Sequence, residues 1–104
     1  MTRPKSVAIG PFKYTVLYTE LENEEDSAFI KFSVRRIVAN EDLDDQNLAE
    51  SLLHEVLHGL IDLTGERPTT DEDRTASEKL IAALSPWLYQ FIRSNPTFIS
   101  FLQE

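Results

Sequence analysis

The sequence predicts an α+β fold, in which a small antiparallel N-terminal sheet is followed by a metal-binding helix and a supporting C-terminal helix. Apolar residues recur at every second position within residues 12–18 and 28–35, and at helical spacing from residue 48 onward. The chain has 104 residues, of which 41% are hydrophobic. Residues 1–104 are therefore expected to form one domain with its own core.

The first half of the chain has the period-2 pattern of half-buried strands. Residues 7–9 form a short apolar run, and the turn signal Gly10-Pro11 separates it from the alternating residues 12–18. A second alternating run covers residues 28–35, and Ile37-Val38 either extends it or forms another strand. We expect an antiparallel sheet of about three strands.

The second half of the chain has helical periodicity. Asp44 or Asp45 is expected to cap the first helix, and Gly65 and Pro68 to end it. A second helix is predicted from Thr70, which three acidic residues follow at the positive end of the helix dipole. Pro86 lies inside this second pattern and should kink or split the helix, because it removes one backbone hydrogen bond.

The segment His54-Glu55-Val56-Leu57-His58 has the spacing of a zinc-binding HExxH helix and contains both histidines of the chain. Residues four apart share one helix face, so both imidazoles can bind one ion. Zinc accepts such nitrogen atoms at about 2.0–2.1 Å in a tetrahedral shell. Glu55 follows the first ligand and can take a proton from the attacking water. The motif thus predicts a Zn²⁺ ion on His54 and His58, with Glu55 as the catalytic base.

The third ligand must be a carboxylate, because the chain has no cysteine and no further histidine. Glu78 is our prediction, since it borders the apolar face of the second helix. Asp71 lies on nearly the same face, and Asp73 projects toward its centre from the first turn, so both remain alternatives. A purely structural interpretation, with the histidines packed on the helix and Glu78 solvated, is the competing hypothesis.

The composition excludes several classes of partner. The formal net charge is −8, which repels phosphate backbones, so we expect no nucleic-acid binding. No apolar stretch reaches membrane-spanning length, and no apolar region follows the basic N-terminus as in a signal peptide. With the lack of cysteine, this favours a cytoplasmic protein.

The run from Leu52 to Leu60, preceded by strands and followed by the run from Glu78 to Leu84, resembles small phage-encoded metallopeptidase-like proteins. These are similar to the ImmA/IrrE-like zinc metallopeptidases. The resemblance implies a minimal zincin-like domain that hydrolyses peptide bonds in a protein or peptide substrate. It also implies that His54, His58 and Glu78 bind zinc and that Glu55 is the base.

Two other functions are compatible with the same motif, namely a zinc-binding regulatory protein and a structural phage protein without turnover. Three protein ligands with an open position favour catalysis, whereas four favour a structural brace. For a peptidase, the edge of the strand at residues 28–35 can hold an extended substrate. Candidates for stabilising the oxyanion are Tyr18, Tyr89, Arg35 and Arg36.

Overall fold

A computed structural model describes residues 2–21, 27–66 and 68–104, and it confirms the α+β class. Within these residues, four strands precede three helices. Their bounds are β1 Ser6–Ile9, β2 Phe12–Thr19, β3 Ala28–Lys31, β4 Arg36–Asn40, α1 Asp45–Thr64, α2 Asp71–Ser94 and α3 Pro96–Leu102. None of the helices in the described part of the chain is both long enough and apolar enough to cross a membrane.

The sheet is mixed and has the order β1-β2-β4-β3, so the prediction of an antiparallel sheet of about three strands is wrong. Two antiparallel pairs, β1 with β2 and β3 with β4, meet through the parallel pairing of β2 with β4. Val16 lies opposite Ile37 in that central pairing. The continuous apolar run Ile37-Val38-Ala39 is buried, because β4 lies between β2 and β3 in the sheet.

The alternation at residues 28–35 does not form one strand, because β3 ends at Lys31 and a turn follows. Arg35 closes this turn with a left-handed backbone at φ 50°, and its N–H donates to the carbonyl of Phe32 at 3.3 Å. Its guanidinium lies 4.0 Å from the centre of the Phe12 ring. This cation–π contact offsets part of the cost of the unusual backbone conformation.

Helix α1 follows the predicted boundaries. Asp44 rather than Asp45 caps it, with its side chain accepting from the Asn47 N–H at 2.8 Å. Leu48 and Leu52 are buried against the sheet and belong to the main hydrophobic cluster. Gly65 ends the helix in the left-handed conformation that glycine adopts without strain. The apolar face of α1 therefore fixes the orientation of the HExxH segment on the sheet.

Helix α2 begins after Thr70, whose side chain accepts from the Asp73 N–H at 3.0 Å. It continues unbroken to Ser94, so the alternative that Pro86 splits it is wrong. Ile81 and Ser85 are its buried residues within the described chain, and the hydroxyl of Ser85 donates to the Ile81 carbonyl. Few buried side chains therefore hold α2 against the rest of the protein.

Gly59 permits a close approach between α1 and the sheet, one residue after His58. A Cβ at this position would lie 2.8 Å from Cδ1 and 3.2 Å from Cγ2 of Ile9, which is itself buried. We expect Gly59→Val to lower the free energy of unfolding by about 1–3 kcal/mol, because overpacking a filled core forces side chains and backbone apart. Urea unfolding of the protein in EDTA measures this change.

Gln46→Val is the control for Gly59→Val, because Gln46 is an exposed residue of the same helix. This control should lower the free energy of unfolding by only a few tenths of a kcal/mol, which is the usual effect of a β-branched residue in a helix. Equal stability of Gly59→Val and the wild type would show that the contact with Ile9 relaxes easily.

Candidate metal centre

Helix α1 holds the two histidines of the chain side by side. The ring centroids of His54 and His58 are 4.9 Å apart, and their Nε2 atoms are 3.2 Å apart. A zinc tetrahedron with bonds of about 2.0–2.1 Å has edges of roughly 3.3–3.4 Å. The two nitrogen atoms therefore already have nearly the separation that a shared zinc ion requires.

Glu78 reaches this pair from α2. Its Oε1 lies 2.7 Å from Nε2 of His54, and its Oε2 lies 2.7 Å from Nε2 of His58. One donor atom from each of the three residues can be chosen so that all lie within 4.8 Å of one another. Two imidazoles and a carboxylate are donor groups that zinc accepts. The two carboxylate–imidazole distances of 2.7 Å are shorter than the edge of a zinc tetrahedron. The group can therefore hold a metal ion once the carboxylate moves away from the imidazoles by a few tenths of an ångström.

Glu55 is buried directly beside this group, with only 7% of its surface exposed. Burial, and secondarily the negative charge of Glu78, raise the pKa of Glu55 from 4.5 to about 8. A general base works best when its pKa is near the working pH, and carboxyl groups reach that range by burial. A nearby divalent cation would lower this pKa again, because it favours the charged carboxylate.

Two depressions meet at the histidine–glutamate group. The first has a volume of about 340 Å³ and is bordered by His54, Glu55 and Glu78, together with Ser27, Ala28, Glu50, Ser51, Ala82, Ser85 and Pro86. The second has a volume of about 370 Å³ and is bordered by His58 and Glu78, together with Phe32, Ile61, Asp62, Pro68, Arg74 and Ser77. A ligand can therefore approach the group from two sides.

The alternative carboxylates do not join the histidines. Asp71 has a side chain that is 98% exposed, and it pairs with Arg74 at 3.1 Å. Asp73 lies in the capped first turn of α2, and its backbone N–H donates to Thr70. Within the described residues, the three-residue group that could hold an ion contains Glu78 and neither aspartate.

The four candidates for stabilising an oxyanion lie outside both depressions. Tyr18 donates its hydroxyl to the Pro4 carbonyl, and the hydroxyl of Tyr89 contacts the guanidinium of Arg93. Arg74, which the sequence interpretation missed, borders the second depression. Its position four residues before Glu78 was the available signal, because residues at that spacing share a helix face.

Comparison with protein-family models, curated protein sequences and solved structures finds no match to this chain. The resemblance to ImmA/IrrE-like peptidases therefore stays a prediction.

Proposed function

We propose that the protein is a zinc-dependent peptidase. The observation that carries this proposal is that His54, His58 and Glu78 form one group, and that the buried Glu55 borders the same cleft as His54 and Glu78. These are the groups that metal-assisted hydrolysis needs, namely neutral and anionic ligands for the ion and a carboxylate for proton transfer. The mixed sheet and helix order are compatible with a minimal zincin-like domain.

In this mechanism, zinc held by the two imidazoles and the Glu78 carboxylate would polarise the scissile carbonyl and make the attacking water more acidic. Glu55 takes a proton from that water as its oxygen bonds to the carbonyl carbon. Glu55 then gives the proton to the leaving nitrogen as the peptide bond breaks. Burial raises the pKa of Glu55 and the bound cation would lower it again, and a carboxyl group whose pKa lies between these limits can both accept and return a proton.

The edge of the sheet suggests how a substrate would lie. Strand β3 is an outer strand, and β4 is its hydrogen-bonded neighbour among the described strands. Ala28 at the start of β3 borders the first depression, with Ala82 and Pro86 of α2 also on its border. An extended peptide that pairs with the free side of β3 would enter the cleft beside Glu55. The proposed substrate is therefore an extended segment of a protein or peptide.

A second proposal is a structural or regulatory zinc site without turnover. It is favoured by the sparse packing of α2, because a shared ion would join α1 to a helix whose buried residues in the described chain are Ile81 and Ser85. Catalysis remains the better explanation, since three protein ligands leave a position for substrate or water. The Glu78 side chain is also 55% exposed, so the group is open to solvent.

We expect the protein, purified without a histidine tag, to bind one zinc ion per chain. EDTA should lower the melting temperature and zinc should restore it, because an ion that binds only the folded chain stabilises it by about 4 kcal/mol at a thousandfold excess over Kd. Elemental analysis and calorimetry measure both effects. Substoichiometric metal that added zinc does not restore would contradict the site, whatever the activity.

A further inference from the structure

Helix α2 carries an apolar seam on its outer side, formed by Leu80, Leu84, Trp87 and Phe91. All four are exposed, Leu80 by 65% and Trp87 by 70%. Their spacing of four, three and four residues is the 3.5-residue period of two packed helices. Among the described residues Phe98 of α3 contacts Phe91, but Leu80 and Trp87 stay mostly exposed, so packing within one copy does not account for the regular pattern.

The seam is also free of charge, although 27% of the chain is charged. No charged residue lies between Lys79 and Arg93, and the neighbouring Ala76 and Ala83 are small. Depletion of charged residues is typical of the centre of protein interfaces, and small side chains permit close approach. No basic residue lies between Lys79 and Arg93, and the chain has a net charge of −8, which argues against anionic lipid as the natural cover.

The exposed apolar surface is large enough for a stable interface. A fully exposed aromatic side chain has a surface of about 200 Å². At their exposed fractions, the four aromatic residues of this surface together expose roughly 450 Å²; they are Trp87, Phe91, Phe98 and Phe101. Leu80, Leu84 and Leu102 bring the surface to roughly 700 Å², against the about 800 Å² that each partner contributes to a standard interface. Phe98 belongs to this surface because its ring meets Phe91 edge-on at 5.9 Å. Phe101 and Leu102 follow Phe98 by three and four residues in α3, and residues at that spacing share one helix face.

We propose that the seam joins two copies of this chain through an antiparallel, two-fold packing of α2 against α2. In this arrangement Leu84 lies opposite Trp87 of the other copy, and Leu80 lies opposite its Phe91, so that each layer combines one aromatic and one aliphatic side chain. A parallel arrangement would pack Trp87 on Trp87. It would also bring the two acidic first turns together, which like-charge repulsion opposes.

The dimer leaves the candidate metal centre open. With 3.6 residues per turn, the α2 residues that border the first depression, Glu78, Ala82 and Pro86, lie on roughly the opposite side of the helix from the seam. The inference therefore does not depend on the proposed peptidase activity, and either can fail alone.

Sedimentation equilibrium of the full chain tests the dimer. We expect a wild-type dimer at about 100 µM, and Leu84→Lys and Trp87→Lys should each raise its Kd by at least about a hundredfold, because each change enters the interface twice. Leu60→Lys on α1 is the matched control, since Leu60 and Leu84 are both 44% exposed. It should leave the Kd within about threefold. A monomeric wild type, or a dimer that both seam variants retain, overturns the proposal.

Single cysteines distinguish the two orientations, because the chain contains no other cysteine. Ala76 and Ser94 are exposed, and antiparallel packing brings Ala76 of one copy near Ser94 of the other. An oxidised mixture of Ala76→Cys and Ser94→Cys should form the mixed disulfide, while each variant alone should not cross-link across roughly 27 Å. Efficient cross-linking of each variant alone indicates parallel packing and overturns the antiparallel arrangement.

Discussion

Glu55→Gln should reduce the hydrolysis of an unstructured test protein by at least about a hundredfold while the protein keeps its zinc, because the amide cannot accept the proton of the attacking water. Glutamine has nearly the size of glutamate and can still form hydrogen bonds, so the fold should persist. Buried Glu55 also repels Glu78 when both are charged, and the substitution removes this repulsion. We would measure initial rates, zinc content and melting temperature on the same preparations.

Glu72→Gln is the control for this experiment. Glu72 is exposed in the first turn of α2 and borders neither depression of the candidate metal centre, so it tests the loss of one negative charge. Its rate should match that of the wild type within about twofold. Undiminished cleavage by zinc-loaded Glu55→Gln would contradict the mechanism and point to a contaminating protease. Loss of zinc from Glu55→Gln would instead make Glu55 a ligand.

The helices were the part of the fold that the sequence predicted best, because their signals are local. The cap at Asp44, the apolar stripe through Leu48 and Leu52 and the stop at Gly65 all lie within one helix. Asp44 and Asp45 could not be distinguished, since either carboxylate can cap from neighbouring positions. Pro86 remains inside α2 because the lost N–H leaves only the Ala82 carbonyl without its helical donor, and Ala82 is exposed.

The sheet was predicted less well, because strand pairing depends on residues far apart in the chain. Val16 and Ile37 pair in parallel across 21 positions, and no local pattern encodes that direction. The alternation at residues 28–35 also concealed the turn after β3. Phe32 and Val34 continue the period-2 pattern, although both are exposed. Arg35 has a left-handed backbone, and a glycine or asparagine at this position would have indicated the turn in the sequence.

The candidate site combines local and distant information. His54, Glu55 and His58 are neighbours on one helix, so their spacing alone predicts that they share a face. Glu78 required an assumption about which face of α2 meets α1, and Asp71 was nearly equivalent on that criterion. The two depressions could not be predicted, because residues before β3, on α1 and on α2 border the first of them together.

Glu78→Gln tests the third ligand, and we expect it to weaken zinc binding by well over a hundredfold. Partners outside the ligand shell typically change metal affinity by about 10–100-fold, and a direct anionic ligand should exceed that range. An amide oxygen is neutral and a poor ligand for zinc. Competition with a chromophoric chelator measures the Kd, and circular dichroism in EDTA checks the fold.

Asp71→Asn and Asp73→Asn each remove one negative charge near the start of the same helix, so they control for long-range attraction of the cation. Both should change the zinc Kd by less than about threefold, because Asp71 pairs with Arg74 in solvent and neither aspartate reaches the histidines. If either variant lost zinc while Glu78→Gln kept it, the ligand assignment would be wrong. If all three variants kept zinc, the ion would be held by the histidines with water or Glu55, and zinc retention by Glu55→Gln would decide between those two.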